Sequence, residues 1–482
     1  MTLETLELFK AISRWLFLLS LGYYLLTNLQ WYSYKLTRVL FKHHKWRWHI
    51  FYFFMPLLFF FVLGEYFYIY LYVAHLPGIV IWARKLDKPL VFTGRVRRFF
   101  IVYVGFVVFG ELLCVSNECD KILILLPIVF TLLFTSILEK VLLNRYARAA
   151  KDKLASMSGL IIIAITGSYG KTSLKNFLAQ ILEGTFKVHA SPRSVNTFAG
   201  IVADINKDLS PLCDVYIAEA GAREPGDIRE IGALLEHHYG IIGKIGEAHL
   251  EYFKDIETIR KTKFELATSS PRLRKLFCYE GNLPYEGVRA TAFPTKTRNI
   301  KATLERTSFE LFMRGEFYPF ETEVLGAFNV INLSAAIMLA HTMGIALDKI
   351  QRQVARIKPI PHRLQKIEAN GKLILDDSFN GNLEGMLEAI RLASLYHGRK
   401  VIVTPGLVES SEQANEEIAK AIDRTFDIAI LTGELNLKML SLLIKKPQKL
   451  IVKEKGALEE VLKAATREGD LILFANDAPS YI

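Results

Sequence analysis

Four long apolar stretches, at about 12–30, 49–74, 99–116 and 121–138, crowd the first third of the chain. Each approaches or exceeds the roughly 18–20 residues that cross a bilayer as a helix. Buried helices of a soluble domain would need polar sequence to cover them, and little is left between these four. Trp31, Tyr32, Tyr34, Trp46 and Trp48 gather at the ends of the first two stretches, where an aromatic belt would lie. The leader MTLETLELFK is acidic, and no small-residue cleavage site follows the first stretch, so it does not read as a secretory signal. Residues 1–150 are expected to form a transmembrane helical region of about four segments.

The charge distribution agrees. Of the net charge of +11, residues 1–157 carry +10, with 19 Lys/Arg against 9 Asp/Glu. The remainder is near neutral, which argues against a nucleic-acid groove and leaves membrane lipid as the expected partner of the basic segments. Residues 31–48 (Lys35, Arg38, Lys42, Lys45, Arg47) and 83–98 (Arg84, Lys85, Lys88, Arg95, Arg97, Arg98) are basic, and the turn VSNECD at 115–120 is acidic. Arg145, Arg148, Lys151 and Lys153 follow the last stretch. The last two stretches therefore read as a hairpin with both ends cytoplasmic. The two earlier basic loops share a face only if 49–74 is doubled or re-entrant; otherwise one of them breaks the bias. Everything past residue 150 is expected in the cytoplasm. The four cysteines (Cys114, Cys119, Cys213, Cys278) are too scattered for a disulfide framework and read as free thiols.

From Gly159 the texture changes. Short apolar runs (GLIIIAIT, DVYIAEAGA, YGIIGKIG) alternate with amphipathic helical stretches (KTSLKNFLAQILEG, DIREIGALLEHH). That alternation predicts a parallel sheet with crossover helices. Residues 288–325 alternate Thr, Phe and Glu and suit an antiparallel annex. A helix is expected from about Asn329, and PIPHR at 359–363 reads as a hinge. KLILD, KVIVT, DIAIL, KLIVK and DLILF then predict a second α/β block. The fold class is thus α/β behind membrane helices, with a central domain at 155–357 and a Rossmann-like C-terminal domain at 358–482.

The run Thr166-Gly167-Ser168-Tyr169-Gly170-Lys171-Thr172-Ser173 follows an apolar strand and opens a helix. Glycines let backbone N–H groups close on phosphate oxygens, and the helix N-terminus adds its dipole. Lys171 would meet the outer phosphates and Thr172 would hold Mg²⁺. The spacing is one residue shorter than the usual phosphate loop. Glu219 ends an apolar strand, a position suited to a magnesium ligand. Asn329 carries both a donor and an acceptor, which fits an adenine edge, and helix capping competes for it. The pairs His43-His44 and His237-His238 lack partners at metal spacing and read as membrane-flank and helix-surface residues.

TGSYGKTS resembles the ATP-binding loop of the Mur ligase family. IAEAGAREPGDI (ending at Ile228), GKIGEAHLEYF (243–253), RKTKFEL (260–266), GAFNVINLSAA (326–336), PIPHRLQ (359–365) and LDDSFNGNLEGM (375–386) extend the resemblance in the family's order. They are most similar to the branch that adds D-alanyl-D-alanine to a UDP-N-acetylmuramoyl-tripeptide. The resemblance implies an ATP-dependent peptide ligase of peptidoglycan precursor synthesis that uses Mg²⁺ and an acyl-phosphate intermediate. It makes Lys263 the lysine that is carbamylated into a metal ligand, with Glu265 in support, and His249 a holder of the second metal. It assigns Arg363 to the ATP phosphates and Asp377 to the ribose side. Asn196, Thr197, Ser378, Phe379, Asn380 and Asn382 fall near the substrate or the domain seam, and TPGLVE (404–409) resembles another substrate-side loop. The family's soluble first domain has no counterpart in residues 1–150, and NDAPSYI does not resemble the KGS-type motif expected near the C-terminus. A ligase for another wall polymer, or for a folate, is the neighbouring reading. A membrane regulator that binds nucleotide without ligating is the reading from another class.

Overall fold

The computed structural model describes residues 3–32, 34–41, 45–86, 89–116, 125–193, 195–246, 253–379, 381–408, 410–453 and 455–476. The chain divides into two compact units, Met1–Arg145 and Tyr146–Ile482.

The first unit is helical. Its helices are α1 (Leu3–Trp31), α2 (Leu36–Phe41), α3 (Arg47–Val62), α4 (Tyr66–Arg84), α5 (Gly94–Ser116) and the start of α6 (Leu126–Ser156). The stretch expected at 49–74 is two helices, not one. Gly64 takes φ +55, a left-handed turn that few residues other than glycine adopt cheaply, and the chain reverses there. Tyr66–Arg84 and Leu126–Ser156 are long and apolar enough to cross a membrane. Their interior packing centres on Phe17, Leu21, Phe67, Leu71 and Tyr103, each almost fully buried.

The second unit begins inside α6, not after it. Ala150 and Leu154 are buried in its core, and Lys153 Nζ donates to Ile205 O at 2.7 Å. The break expected between 150 and 155 therefore falls within a packed helix. Three sheets follow. The first is parallel, in the order β2-β3-β1-β4-β5-β6, and comprises β1 (Ile161–Thr166), β2 (Val188–Ala190), β3 (Val215–Glu219), β4 (Tyr239–Ile242), β5 (Lys275–Tyr279) and β6 (Thr291–Phe293). Both of its faces are covered, so β1, β3 and β4 read as unbroken apolar runs. One face packs on α7 (Lys171–Glu183) and α11 (Asn329–Thr342), the other on α8 (Phe198–Lys207), α9 (Asp227–Leu235) and α10 (Ile256–Phe264).

The annex is an antiparallel meander, β7 (Thr297–Ala302), β8 (Thr307–Met313) and β9 (Glu316–Thr322). Phe309, Leu311 and Met313 alternate inward along β8 and join the core beneath α11. After the short α12 (Leu347–Val354) the hinge leads to the second large sheet, β10-β11-β15-β12-β13-β14. Its strands are β10 (Gln365–Ala369), β11 (Lys372–Asp377), β12 (Lys400–Thr404), β13 (Ile428–Thr432), β14 (Gln448–Val452) and β15 (Leu471–Ala475). Only β10 runs antiparallel to its neighbour. Helices α13 (Leu383–Ser394), α14 (Glu412–Thr425), α15 (Leu437–Leu443) and α16 (Leu458–Ala465) cover it.

Candidate active site

In open α/β sheets ligands bind beyond the carboxyl ends of the strands. Two such ends are adjacent here, because Ile165 on β1 pairs with Glu219 on β3. The phosphate loop leaves β1 and enters α7 through Gly170, at φ +72. A side chain there would be strained, and its Cβ would lie 2.7 Å from the Asn332 amide. Lys171 Nζ folds back on its own loop, donating to Gly167 O at 3.0 Å and Ser168 O at 3.2 Å. Burial pushes the Lys171 ammonium down, while Glu219 supports its charge.

Glu219 is 1 % exposed, so every contact to its carboxylate matters. Thr172 Oγ1 donates to Oε2 at 2.9 Å, and Asn196 Nδ2 donates to Oε1 at 3.1 Å. Lys175 Nζ stands 3.6 Å from Oε2 and donates to Ser191 O and Arg193 O at 2.6 and 2.5 Å. Lys175 is a residue the sequence reading missed. It follows Lys171 by four positions, on the same face of α7, and that spacing was the available signal. It ties the 191–197 segment, which carries Asn196, to the phosphate-loop helix.

Lys263 ends α10 and is 3 % exposed. Burial first, and the Lys171 charge second, push its ammonium down to about 7, against the pull of Asp227, Glu219 and Glu265. The GDI motif is explained by the same cluster. Asp227 accepts from the backbone N–H groups of Arg223 and Glu224, and Glu265 accepts from those of Gly226 and Arg229. Glu265 thus caps the start of α9 and sets Asp227 beside Lys263.

The second sheet contributes from the hinge and from β11. Burial pushes the Asp377 carboxyl up to about 6, although Arg363 and the Leu364 N–H (3.1 Å) favour its charge. Burial weighs on the Arg363 guanidinium too, with Asp377 and Glu219 supporting its charge. Arg363 stacks over the Phe379 ring at 4.7 Å and donates to Phe379 O at 3.0 Å. An open cleft with about 730 Å³ of atom-free space is lined by Tyr169, Gly170, Asn329, Asn332, Arg363 and Asp377.

That cleft fits a nucleotide. Asn329 donates its amide to Leu325 O at 2.7 Å, yet its Oδ1 is buried with no partner, an acceptor waiting for a donor such as an exocyclic amine. The cap of α11 is Phe328, so capping does not occupy Asn329. The oxygens of Thr172 and Glu219 suit a hard cation. Among the described residues no three His, Cys, Asp or Glu side chains gather as a metal cluster. His249 and Asn380 lie outside the described residues.

Other expected residues have local work. Thr166 Oγ1 donates to Ala220 O at 2.8 Å, which turns it toward β3. Ser168 donates to Gly246 O and Ser173 lines the cleft. Thr197 caps α8, accepting from Gly200 N at 3.3 Å, and Asn382 caps α13, accepting from Gly385 N at 3.0 Å. Ser378 N donates to Asp376, and Phe379 is 42 % exposed beneath Arg363. The loop at 404–408 is held by three asparagines that sequence reasoning did not select. Asn415 bonds Leu407, Asn436 bonds Pro405 O, and Asn476 bridges Gly381 N and Gly406 O. His237 is a correction. Expected on a helix surface, it is fully buried, and burial pushes its imidazolium down to about 4. Its neighbour His238 accepts the Ile162 N–H at 3.0 Å and so helps seat β1.

A glycine-containing loop on one parallel sheet thus lies at a cleft that also takes an arginine and an aspartate from a second. Residues 165–340 match the Mur ligase middle domain. The chain is 26% identical over 357 residues to the UDP-N-acetylmuramoyl-tripeptide–D-alanyl-D-alanine ligase of Escherichia coli (strain K12), covering 64% of this chain and 77% of the relative. The enzyme of the same name from Bacillus subtilis (strain 168) is 26% identical over 352 residues, covering 69% and 75%. The fold of this chain is similar to that of MurF ligase from Thermotoga maritima, solved in complex with ADP, at TM-score 0.61 and 23% identity, covering 70% of this chain and 80% of that one. MurF from Acinetobacter baumannii gives the same TM-score at 20% identity, covering 69% and 77%.

Proposed function

We propose that this chain is an ATP-dependent ligase that joins D-alanyl-D-alanine to a UDP-N-acetylmuramoyl-tripeptide. The observation that carries the reading is that Lys171, Thr172, Glu219 and Lys263 form one contiguous charged cluster, which the Arg363 charge reaches from a cleft that it lines with Asp377. Ligases named for this reaction are 26% identical to this chain over 357 and 352 residues.

In this reading ATP enters the cleft with its phosphates on the loop 167–172. Lys171 leaves the loop carbonyls to meet the outer phosphate. Arg363 approaches from the second sheet, so both cations face the charge that grows as the phosphoryl group moves to the peptide carboxylate. The resulting acyl phosphate is attacked by the amine of D-alanyl-D-alanine, and phosphate leaves with the bond electrons. Asn329 Oδ1 receives the adenine amine and Asp377 faces the ribose side. Thr172, Glu219 and a carbamylated Lys263 would hold Mg²⁺, which supplies charge neutralisation between the reacting oxygens. An ammonium lowered to about 7 leaves free amine at neutral pH, the form whose lone pair adds to CO₂ with loss of one proton. His249, in the GEAHL motif, is assigned to the second metal on the resemblance alone.

We further propose that the first unit holds this chemistry at the cytoplasmic face of a membrane. Two of its helices have the length and hydropathy of spans. A tether raises the local concentration of a ligase whose product feeds a membrane-bound pathway. The test is a purified full-length chain in detergent, given ATP, D-alanyl-D-alanine and UDP-N-acetylmuramoyl-tripeptides that differ at the third residue. Phosphate release that requires both peptide substrates supports the reading. Release that ignores them returns the protein to the class of nucleotide-binding regulators.

A further inference from the structure

Contacts within the first unit sort its helix ends into two sets. At one end Trp31 lies 6.2 Å from Trp48, and Gln30 exchanges two hydrogen bonds with the Val91 backbone, at 2.8 and 2.9 Å. Arg95 sits 3.7 Å above the Tyr34 ring, and Arg98 pairs with Glu139 at 2.7 Å. At the other end Lys10 pairs with Glu65 at 3.0 Å, Arg14 pairs with Glu111, and Phe9 packs on Tyr68 and Tyr72. Between them Phe17 meets Phe60, Phe67 and His75, and Tyr103 donates to Leu18 O.

These contacts fix the direction of each helix. α1 runs from the Lys10 end to the Trp31 end. α3 runs back, the chain turns at Gly64, and α4 returns. α5 leaves the Trp31 end again, and α6 comes back past Arg98. The chain therefore passes between the two ends five times. α4, with 19 residues, is about 28 Å long at 1.5 Å per residue, close to the roughly 30 Å of a bilayer core.

Charge follows the same division. The segments that meet at the Trp31 end are the basic ones: Tyr32–Trp48 has five Lys/Arg and no acid, and 84–98 has six against Asp87. Among the described residues the opposite end holds Glu7, Glu65 and Glu111, and Lys10 and Arg14 there are paired with acids. Between the ends, the outward residues are apolar: Leu58, Val62, Ile69, Val73, Ile101 and Ile137 are each more than half exposed.

Resting on the membrane reading above, the geometry points to a five-span module. Its basic end meets the anionic headgroups of the leaflet on which the ligase unit works, and the Gly64 turn and the start of α1 lie on the opposite face. Because 49–74 crosses twice, this arrangement gives 31–48 and 84–98 the same side, the conflict that the sequence alone left open. A two-span module of α4 and α6 alone would leave Leu58 and Ile101, which share the apolar girdle, in water.

Site-directed labelling tests the proposal on the full chain in spheroplasts. Single cysteines replace Glu7, Glu65, Lys35 or Lys85, all outside the cleft, and a membrane-impermeant maleimide is added before or after lysis. Modification is read peptide by peptide by mass spectrometry, so the native cysteines stay in place. E7C and E65C should label in intact spheroplasts, and K35C and K85C at least about tenfold more after lysis. If one variant fails to accumulate, the other of its pair reports the same face. Labelling of K35C and K85C from opposite sides, or protection of both E7C and E65C until lysis, overturns the five-span module. If alkaline carbonate strips the chain from the membrane, the membrane reading itself fails, and the five-span module with it.

Discussion

The two units bury opposite kinds of polarity. In the helical unit the buried polar groups among the described residues are neutral apart from Arg38, and two histidines pair with hydroxyls. Ser20 meets His75 at 2.8 Å and Tyr24 meets His49 at 2.7 Å. In the α/β unit the buried polar groups include ionisable ones: Lys175, Glu219, Lys263 and Asp377 are each 9 % exposed or less. Buried charge is costly unless something offsets it. Paired neutral groups serve packing, whereas a knot of buried cations and carboxylates waits for phosphate and metal. The contrast separates an anchor from an engine, and substitutions on either side of it should behave differently.

The largest effect is expected at Lys171. Lys171→Ala removes a cation from the transition state, a loss of roughly 10²–10³ in kcat, while the melting temperature stays near wild type. Steady-state phosphate release and a thermal melt check both; activity within about tenfold of wild type, on the scale of 1.4 kcal/mol per decade, would remove Lys171 from the chemistry.

Next comes the boundary between the units. A fragment that begins at Tyr146 keeps Ala150 and Leu154 in its core and should be soluble and bind ATP. A fragment that begins at 155 loses both and should be less stable by about 2–3 kcal/mol, the low end for deleting a buried leucine. Urea melts of the two fragments measure the gap. Equal midpoints would mean that α6 merely touches the α/β unit.

Lys263→Ala should keep nucleotide binding and lose about 10–100-fold in turnover, the scale of a lost metal-site partner. Millimolar acetate, at constant bicarbonate, should restore part of it by filling the carboxylate's place, and should do nothing for Lys171→Ala. Near-wild-type turnover without acetate would exclude Lys263 from the site. The smallest effect belongs to Asn329→Ala. One lost hydrogen bond to adenine is worth about 1 kcal/mol, so the KM for ATP should rise roughly fivefold with kcat unchanged. A fall in kcat instead would place Asn329 nearer the reacting phosphate than the base.

Much of the α/β unit was legible because its strands are buried on both faces. Runs such as GLIIIAIT and DLILF have no other use in a soluble domain. β2, β6 and β10 escaped notice as edge strands with mixed sequence, and β5, though interior, is a short run flanked by charged and polar residues. The phosphate loop, Glu219, Arg363 and Asp377 could be placed by motif. Lys175 could not, because a lysine on an amphipathic helix reads as solvated until the chain that covers it is known. The three asparagines that brace the 404–408 loop act across 8 to 70 residues of sequence, and no local pattern marks them. Whether 49–74 was doubled or re-entrant stayed open in the sequence for a simpler reason: one glycine makes the turn, with apolar sequence on either side.

The most direct measurement follows the oxygen. A UDP-N-acetylmuramoyl-tripeptide labelled with ¹⁸O in its terminal carboxylate is turned over with ATP and D-alanyl-D-alanine by the full-length chain. If the cleft transfers the γ-phosphoryl group to that carboxylate, each phosphate released carries one ¹⁸O, and the new amide keeps the other. Phosphate that emerges unlabelled while the ligated product forms would contradict the acyl-phosphate route and the placement of Lys171 and Arg363 around it.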